Sequence, residues 1–273
     1  MASVARAERL VRDNRFAIAV LVPLVGALVL VAGTASLLPP ALAYNPAFLL
    51  LGTFVMRLPL LVTVAPLVDR RAGLALVALA GFVYAIEFVG VTTGWPYGSF
   101  EYLVELGPML FGTVPAGLPL FFLPLVLDAY LLSLLVLGTR APRSLRLGAA
   151  LGVVLVVDLV LDPGAVTVGF WVYHDPGAYY GVPLSNYLGW LLSGTVSLLA
   201  LDYAFDGPAL SDRLDRCEFA LDDLASFVVF WGVVNVYGAN WLPVAFTGAL
   251  LVALLATTDA LPRRLRWWAP DGR

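Results

Sequence analysis

Hydrophobic runs about 20 residues long recur along the whole chain, the length an α-helix needs to cross the hydrocarbon core of a bilayer. They fall at 16–38, 44–67, 73–94, 116–138, 144–163, 186–204, 224–238 and 242–259, with polar or turn-forming residues between them. The pattern predicts an all-α, polytopic membrane helix bundle, a single transmembrane domain over residues 1–273 with about eight spanning helices. The last two runs are short and separated only by Gly238-Ala239-Asn240, so one broken element, giving seven spans, stays open. The first run ends near Ala41-Leu42-Ala43, which superficially resembles a signal-peptide cleavage site. A signal h-region spans about 7–15 residues, and Phe16 to Leu38 is longer, so a retained helix is expected.

Arginine placement orients the bundle. Alternate connecting segments hold Arg6 to Arg15, Arg70 and Arg71, Arg140 to Arg146, Arg213 and Arg216, and Arg263 to Arg273. The other loops, 39–43, 95–115, 164–185 and 239–241, contain no arginine. The positive-inside rule then places both termini in the cytoplasm of a multi-pass cell-membrane protein. The 205–223 segment reads as a solvated, mixed-charge cytoplasmic connector.

Composition narrows the chemistry. Of 273 residues, 61% are hydrophobic and 13% charged, so membrane lipid is the expected surround. All 16 basic residues are arginine, which excludes a lysine Schiff base and the P-loop, whose motif needs lysine. A net charge of −3 gives no footprint for nucleic acid. Cys217 is the one cysteine and His174 the one histidine, so an internal disulfide and the usual zinc sets are out of reach. Neither a metal nor a cofactor is expected, and the chemistry falls to carboxylates, aromatics, arginine, amides and hydroxyls.

Ionisable residues inside spans are costly and read by default as functional candidates. Here they are Arg57 in the second helix, Glu87 in the third, Asp128 in the fourth, and Asp158 and Asp162 in the fifth. Asp158 and Asp162 stand four apart and share a helix face. Asp162-Pro163-Gly164 reads as the outward end of that helix, which puts Glu87, Asp158 and Asp162 at similar depth in the outer leaflet. One reading has Arg57 neutralise one acid while the rest serve as interhelical hydrogen-bond partners. Because one arginine cannot neutralise four carboxyls, the other reading has a leftover acid keep its proton and serve as a donor. Asp128, near mid-bilayer, is a packing partner or tunes charge with Arg57.

The outward segments 95–115 and 164–185 are crowded with Trp, Tyr, Phe, Gly and Pro. They form an aromatic belt at headgroup level or fold back to line a cavity reaching into the bilayer. His174, beside Asp175, fits a hydrogen-bonding surface residue better than a catalyst. Asp158-x-x-x-Asp162 also resembles half of a prenyltransferase aspartate motif, but the second cluster is missing on that side. No internal repeat supports a transporter.

Three stretches carry a resemblance: Glu87 to Tyr102 (EFVGVTTGWPYGSFEY), Asp158 to Pro163, and Tyr179 to Trp190 (YYGVPLSNYLGW). Together they resemble the membrane-integral carotenoid hydratase family, and the lysine-free, alanine- and valine-rich composition resembles its haloarchaeal branch. The resemblance implies a carotenoid substrate and water addition to its terminal C=C bonds, of the bisanhydrobacterioruberin-to-bacterioruberin type. It leaves room for association with other carotenoid-pathway enzymes. An isolated trisubstituted alkene must be protonated before water can attack. That step needs a neutral acid, a pocket that tolerates a tertiary cation, and a held water. Glu87, Asp158 and Asp162 are the candidate acids, with Asp158 or Glu87 as donor, and Arg57 and Asp128 are candidates for tuning charge. Trp95, Tyr97, Tyr102, Trp171, Tyr179, Tyr180 and Trp190 are candidate pocket walls, because ring faces attract cations. Asn186 is a candidate holder of water. A membrane prenyltransferase and a non-enzymatic carotenoid-binding or transport protein are the alternatives.

Overall fold

The computed structural model describes residues 2–257. A short helix, α1 (Ala2–Asp13), precedes a π-turn at Ala17–Leu21 that runs on into α2 (Val22–Thr34). After α3 (Pro40–Ala43) come α4 (Pro46–Val64), α5 (Arg70–Thr93), α6 (Leu118–Leu137), α7 (Arg143–Thr167) and α8 (Leu184–Ala204). A polar helix, α9 (Gly207–Arg216), leads to α10 (Asp222–Tyr237) and α11 (Trp241–Thr257). Among the described residues, six segments are long and apolar enough to cross a membrane: Ala17–Thr34, Pro40–Leu67, Arg70–Thr93, Leu118–Leu137, Arg143–Thr167 and Leu184–Ala204. The last hydrophobic region is two helices, α10 and α11, packed side by side across a turn in which Ala239 takes φ 54°.

Helix α6 is the centre of the bundle. Every residue from Pro124 to Leu134 is buried, and the helix packs against α4, α5, α7 and α8. A helix apolar all round is what a bundle core requires. On its other side α10 packs against α2, α4, α7 and α11. Asn45 caps the first turn of α4 by accepting from Ala47 and Phe48, and Asp69 caps α5 by accepting from Ala72. Gly94 ends α5 at φ 77°, a conformation that a Cβ would strain.

The 205–223 segment departs from the solvated connector expected from its charges. Phe219, Ala220 and Leu221 are buried, and Asp222 and Asp223 are buried in the first turn of α10. The buried acids find arginines that the linear sequence places far away. Arg15 Nε donates to Asp222 Oδ2 at 2.7 Å, and Arg57 Nη1 donates to Asp223 Oδ1 at 2.5 Å. Arg213 donates to the carbonyls of Val62 and Thr63 at the C-terminal end of α4, where helix carbonyls lack intrahelical partners. Arg213 also pairs with Glu8 of α1, and Arg12 with Glu218, so α1 and the 207–223 segment cover the arginine-bearing end of the bundle together.

Arg57 therefore meets a carboxylate contributed by the supposed connector rather than Glu87, Asp158 or Asp162. Asp128 of α6 is buried close enough to Asp223 and Arg57 to feel both charges, although neither of its carboxyl oxygens is hydrogen-bonded, making a buried Arg57–Asp223–Asp128 cluster. Removing one partner of a buried ion pair leaves an uncompensated charge, at a cost of about 3–5 kcal/mol, whereas replacing both with apolar groups is often neutral. Asp223→Ala should thus lower the thermal unfolding temperature of the detergent-solubilised protein sharply. The double variant Arg57→Met/Asp223→Leu should recover most of that loss, and equal destabilisation of the two would contradict a pairing role.

Candidate active site

Helix α7 does not end at Asp162, as the Asp-Pro-Gly sequence had suggested. It continues through Pro163 to Thr167. Proline has no N–H to offer the carbonyl four residues earlier, so Leu159 O is left without its helical donor. The Tyr179 hydroxyl supplies one at 3.1 Å. Asn235 on α10 donates to the neighbouring Val160 O at 2.9 Å, and Asn240 donates to Pro163 O. With those groups satisfied, the helix carries Asp162 inside the bundle, where it is 3% exposed.

Asp158 and Asp162 face α8 on one side of α7. The Asn186 amide nitrogen donates to Asp158 Oδ2 at 3.0 Å and also to Asp162 Oδ2. Two hydrogens on one nitrogen thus clamp both carboxyls. Asp162 Oδ2 receives a second bond from the Tyr173 hydroxyl at 2.9 Å. The Trp190 indole also faces Asp158. On α5, Glu87 Oε1 accepts from the Tyr102 hydroxyl, and Glu87 lies close enough to Asp162 for the two charges to interact.

The tyrosines come from a small sheet formed by the two aromatic loops. Strand β1 (Phe100–Tyr102) pairs antiparallel with β4 (Trp171–Tyr173), with Phe100 opposite Tyr173 and Tyr102 opposite Trp171. A second pair, β2 (Met109–Leu110) and β3 (Val114–Pro115), lies between them in sequence. Side chains alternate across a strand, so Phe100, Tyr102, Trp171 and Tyr173 share one face of the first sheet. That face closes the arginine-free end over the carboxyls. Burial, followed by the adjacent carboxylates, pushes the Tyr102 and Tyr173 hydroxyls well above the ordinary phenol value, so both stay protonated donors.

Beneath the sheet is a cavity of about 700 Å³ with mostly apolar walls. Glu87, Asp162, Asn186 and Arg57 are its ionisable and amide groups, joined by Tyr97, Tyr102, Tyr173, Trp171, Trp190 and Trp231. The Tyr97 ring fits against two bare helix faces. A Cβ on Gly90 would come within 2.9 Å of it, and one on Gly189 within 2.4 Å. Trp190 is held flat against Phe122, with centroids 4.9 Å apart.

The sequence-derived candidates divide accordingly. Glu87, Asp162, Tyr97, Tyr102, Trp171, Asn186 and Trp190 meet at the cavity, and Arg57 lines it at the Asp223 pair. Asp158 lies behind Asn186 and is not part of the wall, and Asp128 belongs to the Arg57 cluster. Trp95 is exposed; the Tyr179 hydroxyl is committed to Leu159 O, and the Tyr180 hydroxyl accepts from Leu242 N. His174 is on the exposed face of the sheet, 2.9 Å from Ser99 Oγ. Tyr173, Phe100, Phe170 and Trp231 were not picked out from sequence. The signal for Tyr173 was available in the Trp171-Val172-Tyr173 alternation, which matches Phe100-Glu101-Tyr102. Among the described residues, no three His, Cys, Asp or Glu side chains group as a metal-holding set.

Residues 44–254 match the family model described as carotenoid biosynthesis protein. The chain is also similar to the bisanhydrobacterioruberin hydratase of Haloarcula japonica, at 58% identity over 258 residues, covering 94% of this chain and 87% of the relative. No solved structure matches it.

Asn186 is the joint of the carboxyl cluster. Asn186→Leu keeps the volume roughly constant but strips the donor from two buried acids, and an unsatisfied buried polar group costs about 1–3 kcal/mol, more for charged groups. The variant should melt well below wild type in detergent. An unchanged melting temperature would show that the clamp does not stabilise the bundle.

Proposed function

The chain belongs to the carotenoid biosynthesis protein family, and on that footing we propose that it is a carotenoid hydratase, acting on a long acyclic carotenoid of the bisanhydrobacterioruberin type. The observation that carries the chemistry is one apolar cavity bearing two differently held carboxyls, with aromatic rings around them. On this reading the enzyme is a hydro-lyase that needs no cofactor and works in the cell membrane, with both termini in the cytoplasm.

Glu87 is the proton donor. It accepts a single side-chain hydrogen bond, from Tyr102 at Oε1, which leaves Oε2 to carry a proton toward the cavity. Asp162 accepts from both Tyr173 and Asn186, a donor set that suits a carboxylate. The π electrons of the terminal alkene take the Glu87 proton onto the less substituted carbon. A new C–H bond forms, and the positive charge falls on the tertiary carbon. Trp171, Trp190 and Tyr102 present ring faces or edges around it, and the Asp162 carboxylate stabilises it from nearby. Water adds through oxygen to the cation, and Asp162 removes the surplus proton. Return of that proton to Glu87 restores the site, so the net change is one water added and a tertiary alcohol formed. Arg57 does not oppose the cation, because Asp223 already neutralises its charge.

Restoring the gene to a host that lacks it should convert an anhydro carotenoid into a product heavier by one water per processed end, with ¹⁸O from labelled water in the new hydroxyl. An unchanged carotenoid profile would sink the hydratase reading. A positioned general acid contributes typically about 10²–10⁴-fold to rate. Glu87→Gln should therefore reduce hydration by about that factor at normal protein level, while Asp158→Asn, behind the cavity wall, should reduce it far less. The reverse order would make Asp158 the donor.

A further inference from the structure

The cavity is not sealed on all sides. Its walls run from the buried acids outward between α2 and α4, where they are formed by residues at the molecular surface. Val25 of α2 and Leu51 and Phe48 of α4 are each about half exposed or more, yet they line the same space as Asp162 and Asn186. Gly52 of α4 lines the same space. A Cβ built on Gly52 would meet nothing within 4 Å, although α2 and α4 pack against each other elsewhere. The gap is apolar and faces the direction a surrounding lipid would occupy, and it ends at the acid site.

We infer that the α2–α4 gap is the lateral port through which a long polyene chain passes, so that its terminal isoprenoid unit reaches Glu87 and Asp162 while the rest of the chain lies along the groove toward lipid. The inference rests on the hydratase reading for the identity of the chain. Three observations single out this occupant. The groove is continuous with the acid cavity, so whatever lies in it has an end at the carboxyls. Apart from the Thr53 hydroxyl, its lining near the mouth between α2 and α4 is apolar, which suits a hydrocarbon chain and not a headgroup or peptide. A substrate that never leaves the bilayer needs an entrance on the lipid side, and the opposite approach, from the arginine-free end, is covered by the β1–β4 sheet.

Gly52 is then a specificity-determining position, kept bare so that the chain can pass. Gly52→Ala, Gly52→Leu and Gly52→Phe fill the port progressively. None of them introduces a Cβ clash, and replacing a helical glycine favours the helix. Gly81 on α5, also open around its Cβ but outside the cavity, provides the control substitution Gly81→Leu.

The test uses the full chain in lipid nanodiscs with purified bisanhydrobacterioruberin as the probe. Binding is read as quenching of tryptophan fluorescence, since Trp171, Trp190 and Trp231 line the cavity. Wild type and Gly81→Leu should show the same saturable quenching. Affinity should fall along the Ala, Leu, Phe series, by roughly tenfold or more at Phe, in keeping with what steric misfit costs in an apolar pocket. Val25→Trp, on the facing wall, should reproduce the loss if Gly52→Phe fails to yield folded protein. Full affinity in folded Gly52→Phe or Val25→Trp would overturn the port while leaving the hydratase reading intact. Absence of saturable quenching in wild type would overturn the carotenoid reading and the port with it.

Discussion

A carboxyl group taken out of water is costly without hydrogen-bond donors, and in this bundle the donors to Glu87, Asp162 and Asp223 each come from a different segment of chain. Tyr102 of β1 reaches Glu87 on α5, Tyr173 of β4 and Asn186 of α8 reach Asp162 on α7, and Arg57 of α4 reaches Asp223 on α10. Greasy helices packed only by van der Waals contact could slide or rotate past one another. These bonds fix which faces meet, because a misplaced helix would strand a polar group in an apolar interior.

The same requirement divides the molecule into two ends with different work. At the arginine-bearing end, buried acids are matched by Arg15 and Arg57, and the connector and α1 are drawn onto the bundle by further ion pairs. At the other end there is no arginine, and the acids are held by neutral donors: two phenols and an amide. Neutral donors orient a carboxyl without removing its capacity to take or give a proton. The sheet that supplies the phenols also supplies the aromatic roof, so positioning of the acids and exclusion of water follow from one local structure. Proline at position 163 contributes by freeing the Leu159 carbonyl, which Tyr179 then binds, pinning the second aromatic loop to α7.

Much of this is legible in the amino-acid sequence alone. Runs of apolar residues located the spans, because hydrocarbon imposes a minimum length on each helix. Glu87, Asp158 and Asp162 stood out because charge inside such a run is costly. Asp223 did not, because it sits one residue outside an apolar run, among exposed-looking acids, and its burial depends on Arg57 being 166 positions away. The true end of α7 was hidden for a similar reason. Pro163-Gly164 is a strong local stop signal, and only tertiary donors from α10, the following turn and Tyr179 override it. Tyr173 is less legible because the Trp171-Val172-Tyr173 alternation gains its meaning only when paired with Phe100-Glu101-Tyr102 in the other loop.

Protonation of carbon before water attack is the step on which the chemistry depends, and its rate reads it directly. Single-turnover hydration of carotenoid already bound to the membrane-embedded enzyme should be markedly slower in D₂O than in H₂O, because a proton is in flight from the Glu87 carboxyl to carbon at the barrier. Equal single-turnover rates in the two solvents would contradict protonation as the barrier and remove Glu87 from its assigned role.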